Sequence, residues 1–254
     1  LFKIIYNFFK RKEATQLACS DGIVCLTHAA EKIILADTAY KKGTPLQVIP
    51  CSANLDMFNV LAINQTEKKR LQQELNIVDD DFIICYLGSI GGWYLTKEMM
   101  QFCKQLADKI PNAKFLFISP HLHQVIAAEA AKYGLPASKL IIKKGSRKEI
   151  PVLLSFSNYS LFFIKPCYSK LSSSHTKHGE IMAMGIPVIK EIVQKYNGGF
   201  VADNFTTETY SVIIDQIQAG KAFDATLIRK GAVDVYSLEE AVELYTKLYD
   251  ELLG

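Results

Sequence analysis

Short apolar runs rich in β-branched and aromatic residues alternate with helical patterns along residues 81–235. The runs have the length of strands, and they predict strands at 82–87, 114–118, 140–143, 159–164, 186–189 and 200–202. The spacing of apolar residues between them predicts helices at 96–110, 124–133, 148–156, 176–184 and 208–217. Because crossover helices bury both faces of a parallel sheet, this pattern predicts an α/β fold with a doubly wound, Rossmann-like parallel sheet.

Residues 1–50 continue the alternation with only two strands. Helices are predicted at 2–18 and 28–35, and strands at 22–26 and 46–49. Since two strands do not form a stable sheet alone, we expect this segment to be the closing part of a second Rossmann-like domain, most of which is absent from this chain. The chain also starts with Leu1 instead of Met, as expected of a processed or truncated sequence.

The remaining segments complete the predicted organisation. Residues 51–80 are interpreted as an interdomain linker with a helix, 81–235 as the main domain and 236–254 as a terminal helix. That last helix begins with the capping box Ser237-Leu238-Glu239-Glu240, and its wide apolar stripe needs a surface to pack against.

One predicted junction lacks a connection. The strand pattern through Lys190 runs directly into a helical pattern at 191–196, whereas strand-to-helix loops usually take about 2–6 residues. Either the strand ends early, or residues are missing from the sequence at this point. The second interpretation predicts that Lys190 and Glu191 are not covalent neighbours in the natural protein.

Composition and charge exclude several classes of function. With 49% hydrophobic and 22% charged residues, the chain is an ordinary globular protein and not a disordered one. A net charge of +3 is too small for a nucleic-acid footprint, so we expect no nucleic-acid partner.

The sequence also bears on membranes and on the cellular compartment. The apolar runs fall far short of the ~20 residues of a membrane span. Six cysteines without a C-x-x-C pair, and no recognisable signal peptide, indicate reduced thiols in the cytoplasm. Nothing in the pattern indicates an oligomeric state.

The predicted first helix combines basic and aromatic residues. Lys3, Lys10, Arg11 and Lys12 are interspersed with Ile and Phe side chains. Such a helix can touch an anionic membrane surface, which would place the protein at the inner face of the membrane. The interpretation that we favour is a helix packed on the sheet of its own domain, with a solvated basic edge.

The loop after the strand at 82–87 is the first candidate for ligand chemistry. It contains Gly88, Ser89 and Gly91, and Lys97 lies near the start of the following helix. Glycines allow the backbone to approach a ligand closely, and the amides of a helix N-terminus attract phosphate. The loop lacks G-x-G-x-x-G and Walker spacing, so a tight turn without a ligand explains it equally well.

The second candidate loop follows the strand at 159–164. Its hydroxyl groups, helix-start amides and lysine suit a diphosphate, while Glu180, one turn into the helix, can accept hydrogen bonds from sugar hydroxyls. The diphosphate candidates are Ser172, Ser173, Ser174, Thr176 and Lys177. The alternative is a solvated serine-rich turn in which Thr176 is an N-cap. The histidine pairs, His121 with His123 and His175 with His178, have no carboxylate-rich spacing nearby as a metal site would, so no metal is predicted.

The helix that follows carries a specific family motif. Residues 176–189 read T-K-H-G-E-I-M-A-M-G-I-P-V-I. They closely resemble the donor-binding helix of group 1 (family 4) glycosyltransferases, T-K-x-x-E-x-M-A-x-G-x-P-V-I. Residues 48–58 resemble the family's interdomain segment V-I-P-x-x-x-D-x-x-x-F, with Asn54 in place of Asp. Weaker resemblances follow in the expected order at 87–89, 198–201 and 236–253, the last matching a terminal helix that crosses back to the N-terminal domain.

The resemblance implies a GT-B architecture, in which two Rossmann-like domains face a cleft and the C-terminal one holds a nucleotide-sugar. It implies transfer of the sugar to a carbohydrate or lipid-linked acceptor, with retention of configuration and without a metal cofactor. Glu180 matches the second acid of the family's E-x7-E motif, which binds the ribose, whereas Ser172 stands where the first acid is expected. Ser89 likewise replaces a basic residue, so Lys177 and Lys97 become the candidates for the diphosphate.

The resemblance names no catalytic residue in this chain. Two other functions stay open. One is a nucleotide-sugar epimerase of GT-B-like architecture, and the other is a non-catalytic nucleotide-sugar-binding module, which the loss of the first acid would suit.

Overall fold

The computed structural model describes residues 2–120, 123–190 and 196–254, with the side chain of Lys190 left out. Its contacts divide the chain into two compact units. Unit 1 comprises Leu1–Ser52, Pro166–Thr176 and Tyr236–Gly254, and unit 2 comprises Ala53–Lys165 and Lys177–Val235. Unit 1 thus includes residues 166–176, which the predicted domain division assigns to the main domain. The predicted break between Lys190 and Glu191 lies outside the described residues.

The described elements alternate along most of the chain. The strands are β1 (Ile23–Cys25), β2 (Leu46–Val48), β3 (Phe82–Leu87), β4 (Ala113–Ile118), β5 (Leu140–Lys143), β6 (Tyr159–Leu161), β7 (Val188–Lys190) and β8 (Gly199–Val201). The helices are α1 (Phe2–Cys19), α2 (His28–Leu35), α3 (Gln65–Glu74), α4 (Thr96–Lys109), α5 (His123–Lys132), α6 (Ile150–Leu154), α7 (Tyr168–Leu171), α8 (Thr176–Ala183), α9 (Thr207–Gln218), α10 (Ala225–Tyr236) and α11 (Leu238–Leu253).

Unit 2 contains a six-stranded sheet in the order β5-β4-β3-β6-β7-β8. Every pair of neighbours in it is parallel. The first strand of the sheet along the chain, β3, therefore lies in the middle, and the chain changes direction between β3 and β6. This is the doubly wound order of Rossmann-like folds, and it confirms the predicted fold class.

The core of unit 2 is built from apolar side chains of the central strands and the crossover helices. Phe102 of α4 packs edge-on against Tyr210 of α9, with ring centroids 5.4 Å apart. Phe163, just after β6, stacks on the same tyrosine at 6.2 Å. These rings lock α4 and α9 onto one side of the sheet, so the loops that precede the two helices have a rigid base.

Several predicted elements differ in extent from the observed ones. The strand predicted at 159–164 ends at Leu161, because from Phe163 onward the chain pairs with the loop after β3 instead of continuing the sheet. The strand predicted at 186–189 starts at Val188, and the helix predicted at 148–156 is confined to α6. The pattern did not predict α7 or α10.

Unit 1 contains the parallel pair β1 and β2, joined by α2. The start of β1 lies against α11, since a Cβ placed on Gly22 would lie 2.9 Å from Leu252 Cδ1. Helix α11 begins as predicted, with the Ser237 hydroxyl accepting the Glu240 amide at 3.2 Å. The apolar stripe of α11 thus finds part of its packing surface at β1.

Helix α1 differs from the packed helix that we favoured, because none of its residues is buried. Its exposed side chains include Phe2, Ile4, Tyr6, Phe8 and Phe9. Within the described part of the chain, no helix combines the length and the apolar character that crossing a bilayer requires.

Candidate active site

The loops after β3 and β6 meet at the carboxyl edge of the sheet. The Leu95 amide donates to the Phe163 carbonyl at 3.1 Å, and the Lys165 amide donates to the Trp93 carbonyl at 2.8 Å. Between these bonds, Tyr94 and Ile164 form an antiparallel bridge. The glycine loop is therefore fixed at the point where the strand order reverses, which is where doubly wound sheets bind their ligands.

The start of the glycine loop is tightly packed. The Gly88 amide donates to the Ile118 carbonyl at 3.0 Å, and the Tyr86 hydroxyl donates to the Ser89 carbonyl. A Cβ on Gly88 would lie 2.9 Å from the Tyr86 hydroxyl oxygen, so a larger residue would displace this bond. Glycine is needed here for packing, whatever ligand the loop binds.

The second half of the loop turns through two left-handed residues, Gly91 at φ +77° and Gly92 at φ +62°. The Gly91 amide is engaged by the Thr96 hydroxyl at 2.8 Å. By contrast, the amides of Ser89 and Ile90 meet no acceptor among the described residues. The Gly92 amide likewise meets no acceptor in that part of the chain, so these three amides of the loop remain able to bind an anion.

Glu180 lies in the interior at the middle of α8, and its side chain is only 4% exposed. Arg147 Nη1 donates to Glu180 Oε1 at 2.6 Å. The other carboxylate oxygen, Oε2, accepts no hydrogen bond from any residue that the structure describes. Burial raises the pKa of Glu180, whereas Arg147 and then Lys177 act to lower it. Oε2 is not fully buried, so it reaches solvent and is open to a hydrogen bond from a ligand.

Arg147 is a functional candidate that the sequence analysis missed. It lies in the loop between β5 and α6, and its side chain is 51% exposed. Its guanidinium carbon lies over the ring of Phe58, 4.7 Å from the centroid, and that ring is fully buried. Its position after a strand at the same edge of the sheet is the signal that could have found it, because the other candidate loops follow strands at that edge.

Arg229 of α10 fixes the segment that carries Phe58. It donates to the carbonyls of Phe58 at 2.7 Å and Leu55 at 3.1 Å, and also to the carbonyl of Ala183, the last residue of α8. Helix ends leave such carbonyls without an intrahelical partner. One guanidinium thus holds both the ring beneath Arg147 and the helix that carries Glu180.

The remaining predicted site residues are distributed over both units. Lys177 lies half-buried in the first turn of α8, close enough to affect the pKa of Glu180. Lys97 is exposed and lines an open cleft on α4 with Lys104, Tyr133 and Thr206. Its role and that of Lys177 in binding a diphosphate stay predictions.

The serine residues belong to unit 1, and the unit boundary falls directly after Thr176. The Ser174 hydroxyl accepts the Cys51 amide at 3.1 Å, and the Ser173 hydroxyl donates to the Ser169 carbonyl at 3.3 Å. Thr176 is the first residue of α8. Contact with a donor by Ser172, Ser173, Ser174 or Thr176 likewise stays a prediction.

The side chains that bind metals lie apart from one another in the described ranges. In residues 2–120, 123–190 and 196–254, no three His, Cys, Asp or Glu side chains come together as a metal site would require. His178, which the sequence analysis considered, is buried in α8, and its ring stacks on Phe162 at 6.0 Å.

No protein-family model matches this sequence, and no curated protein matches it either. Solved structures do resemble it. A glycosyltransferase from Rickettsia africae superposes with a TM-score of 0.74 at 16% identity, covering 98% of this chain and 68% of that one. Anabaena HepE, solved with UDP and glucose, gives a TM-score of 0.69 at 14% identity, covering 94% and 64%.

A third structure, WaaG, is a glycosyltransferase involved in lipopolysaccharide biosynthesis. It gives a TM-score of 0.67 at 18% identity, covering 86% of this chain and 60% of that one. The chain therefore spans about two thirds or less of the length of these proteins. At such identities the likeness shows the fold, and the six-stranded parallel sheet with its helices matches the C-terminal Rossmann-like domain of GT-B glycosyltransferases.

Proposed function

We propose that this chain holds the nucleotide-sugar donor of a glycosyltransferase, which moves the sugar to a carbohydrate or lipid-linked acceptor with retention of configuration. The observation that carries the proposal is Glu180, a carboxylate with Oε2 unused on α8, which follows the switch-point strand β6 along the chain. Vicinal hydroxyls of a ribose are donors that suit such an oxygen. The motif around Glu180 and the fold shared with HepE, solved with UDP-glucose, support the same donor class.

The residues around Glu180 suggest how the donor is held. Lys177 and the first amides of α8 supply positive charge and hydrogen-bond donors where a diphosphate would lie. The unused amides of Ser89 and Ile90 add two donors from the glycine loop. When the sugar leaves, negative charge develops on the nucleoside diphosphate, and these fixed donors stabilise it without a metal.

The test is a binding titration with UDP-, GDP- and ADP-sugars on the natural protein and two variants. We expect Glu180→Gln to weaken binding of the preferred donor by about ten- to hundredfold, because it removes a charge-assisted hydrogen bond. Glu243→Gln, the same change on the exposed surface of α11, is the control. Equal affinity in all three proteins would remove Glu180 from the donor site.

A non-catalytic nucleotide-sugar-binding module is the second candidate, favoured by Ser172 at the position of the first motif acid. A nucleotide-sugar epimerase is the third. Product analysis separates them: transfer needs an acceptor, an epimerase changes the donor alone, and a binding module leaves the donor intact.

We also propose that α1 contacts an anionic membrane at its cytoplasmic face. Its four basic residues outnumber its single acid, Glu13, and its aromatic side chains are exposed along the helix. That combination suits a surface that is both negative and apolar.

A flotation assay with lipid vesicles tests this contact. We expect the protein to float with vesicles that contain anionic lipid and not to float with neutral vesicles. Replacement of Phe8 and Phe9 by Ser should abolish flotation, and equal flotation with both vesicle types would contradict the charge argument.

A further inference from the structure

The guanidinium of Arg147 has one side occupied and one side open. Phe58 lies beneath it, with the guanidinium carbon 4.7 Å from the ring centroid. Its edge is fixed by the 2.6 Å bond from Nη1 to Glu180. Half of the side chain is nevertheless exposed. A planar cation held on one side and at one edge presents its other side to solvent, in a defined orientation.

We propose that the open side of the Arg147 guanidinium is the platform on which the nucleobase of the donor stacks. This inference rests on the proposed function, because it takes Glu180 Oε2 as the acceptor for the ribose hydroxyls. In a nucleotide, three bonds separate the 2′-oxygen from the nitrogen of the base. A ribose held at Glu180 therefore places its base within a few ångströms of Glu180, where Arg147 lies.

The chemistry of the platform suits a base better than it suits a sugar or a phosphate. Guanidinium groups stack on flat π systems, and Phe58 shows that this one already does so on its lower side. A base on the upper side would complete a three-layer stack of ring, cation and base. Because every base has a π face, such a platform supports binding without selecting one base by hydrogen bonds.

The supports of Arg147 make the platform rigid before a donor arrives. Arg229 holds the Phe58 segment through the carbonyls of Phe58 and Leu55. Phe58 is fully buried, so the atoms packed around its ring restrain it beneath the guanidinium. A preformed stacking surface loses little side-chain freedom on binding, which favours affinity.

The experiment compares two probes that differ only at C1′ of the ribose, uridine monophosphate and ribose 5-phosphate. Arg147→Lys keeps a positive charge for Glu180 but removes the flat guanidinium. We expect it to weaken binding of uridine monophosphate by about five- to thirtyfold and to leave ribose 5-phosphate within about twofold. Lys148→Ala, which removes an exposed charge from the same loop, should leave both affinities unchanged.

The outcomes distinguish this inference from the proposed function. Equal weakening of both probes by Arg147→Lys would overturn the platform and leave Arg147 acting only through Glu180. Loss of uridine monophosphate binding in Lys148→Ala as well would reduce the effect to general charge and overturn it too. A natural protein that binds no nucleotide at all would instead overturn the proposed function, and the platform with it. Since Arg147 is half exposed, unchanged unfolding midpoints are expected for both variants.

Discussion

At the scale of single residues, Glu180 is a carboxyl group whose burial disfavours its negatively charged form. Burial raises its pKa, and Arg147 and Lys177 offset that rise only in part. A carboxyl group with a higher pKa in the folded than in the unfolded protein binds more protons when folded. Its contribution to stability is therefore largest at low pH and declines as the pH rises through the raised pKa.

This sign predicts how Glu180→Gln changes stability. Glutamine keeps the size of the side chain and an oxygen for Arg147, but it has no charge to bury. Measured by urea unfolding from about pH 4 to about pH 8, the variant should gain in free energy of unfolding relative to the natural protein as the pH rises. If the free energy of unfolding of the variant instead fell relative to that of the natural protein as the pH rises, the raised pKa would be contradicted.

Glu180 and Arg147 differ in how easily they can be identified as site residues from the sequence. Glu180 lies inside a contiguous motif, so the pattern of residues is enough to identify it. Arg147 precedes it by 33 residues in a loop with no motif of its own. Its position soon after a predicted strand is the one signal it carries, and the fold adds the contact that brings the loop after β5 to α8. Asn54 stands where the family has Asp, and its side chain accepts the Met57 amide at 2.8 Å, as an aspartate could.

At the scale of elements, the long strands with continuous apolar runs are the most predictable. Strands β3 and β5 match the predicted ranges, because β3 is apolar throughout, β5 is apolar up to its last residue, Lys143, and both are bounded by polar or turn residues. Strand β6 is shorter than predicted, since Phe162 to Ile164 are as apolar as the strand itself. The Phe162 amide still donates to the Ile189 carbonyl of β7, but from Phe163 onward the chain turns to the loop after β3. There the Phe163 carbonyl accepts the Leu95 amide, a tertiary preference that local pattern does not encode.

The contact between β7 and β8 depends on a glycine, and this yields a prediction for the element. Gly199 has φ +147°, and a Cβ there would overlap the Val188 carbonyl oxygen. We expect Gly199→Ala to lower the free energy of unfolding by at least about 2 kcal/mol, because the strand pair must separate to admit the methyl group.

Gly220 supplies the matched control. It is also left-handed, at φ +72°, but a Cβ would meet nothing within 4 Å. Gly220→Ala should therefore cost only the conformational penalty of about 1 kcal/mol. Urea titrations of both variants measure the difference, and equal losses would show that conformation alone, not the contact with Val188, restricts position 199.

At the scale of the whole molecule, the alternation of strands and helices is sufficient to predict the doubly wound sheet. Parallel strands require crossovers, and the alternation supplies them, whereas the order with β3 in the middle is read from the pairing of the strands. The assignment of residues 166–176 to unit 1 is not predictable in the same way. These residues lie between β6 and α8 in sequence, and only their contacts separate them from unit 2.

The absence of a metal from the donor site is a prediction at this scale. We expect binding of UDP to be the same with and without EDTA, because helix amides and lysines take the place of a divalent cation. Calorimetric titrations in the two buffers, with excess Mg²⁺ restored to the second, provide the measurement. Binding that is lost with EDTA and recovered with Mg²⁺ would contradict the proposed arrangement.

Trp93, whose carbonyl helps to fix the glycine loop, gives that loop an optical property. It is the one tryptophan of the sequence, and its side chain is half exposed. Fluorescence excited selectively in indole therefore originates from the edge of the proposed donor site and from nowhere else in the chain. A ligand that binds beside this loop should change the tryptophan emission, so its affinity can be measured without a label. The Trp93→Phe variant, which has no indole, is the control for this signal.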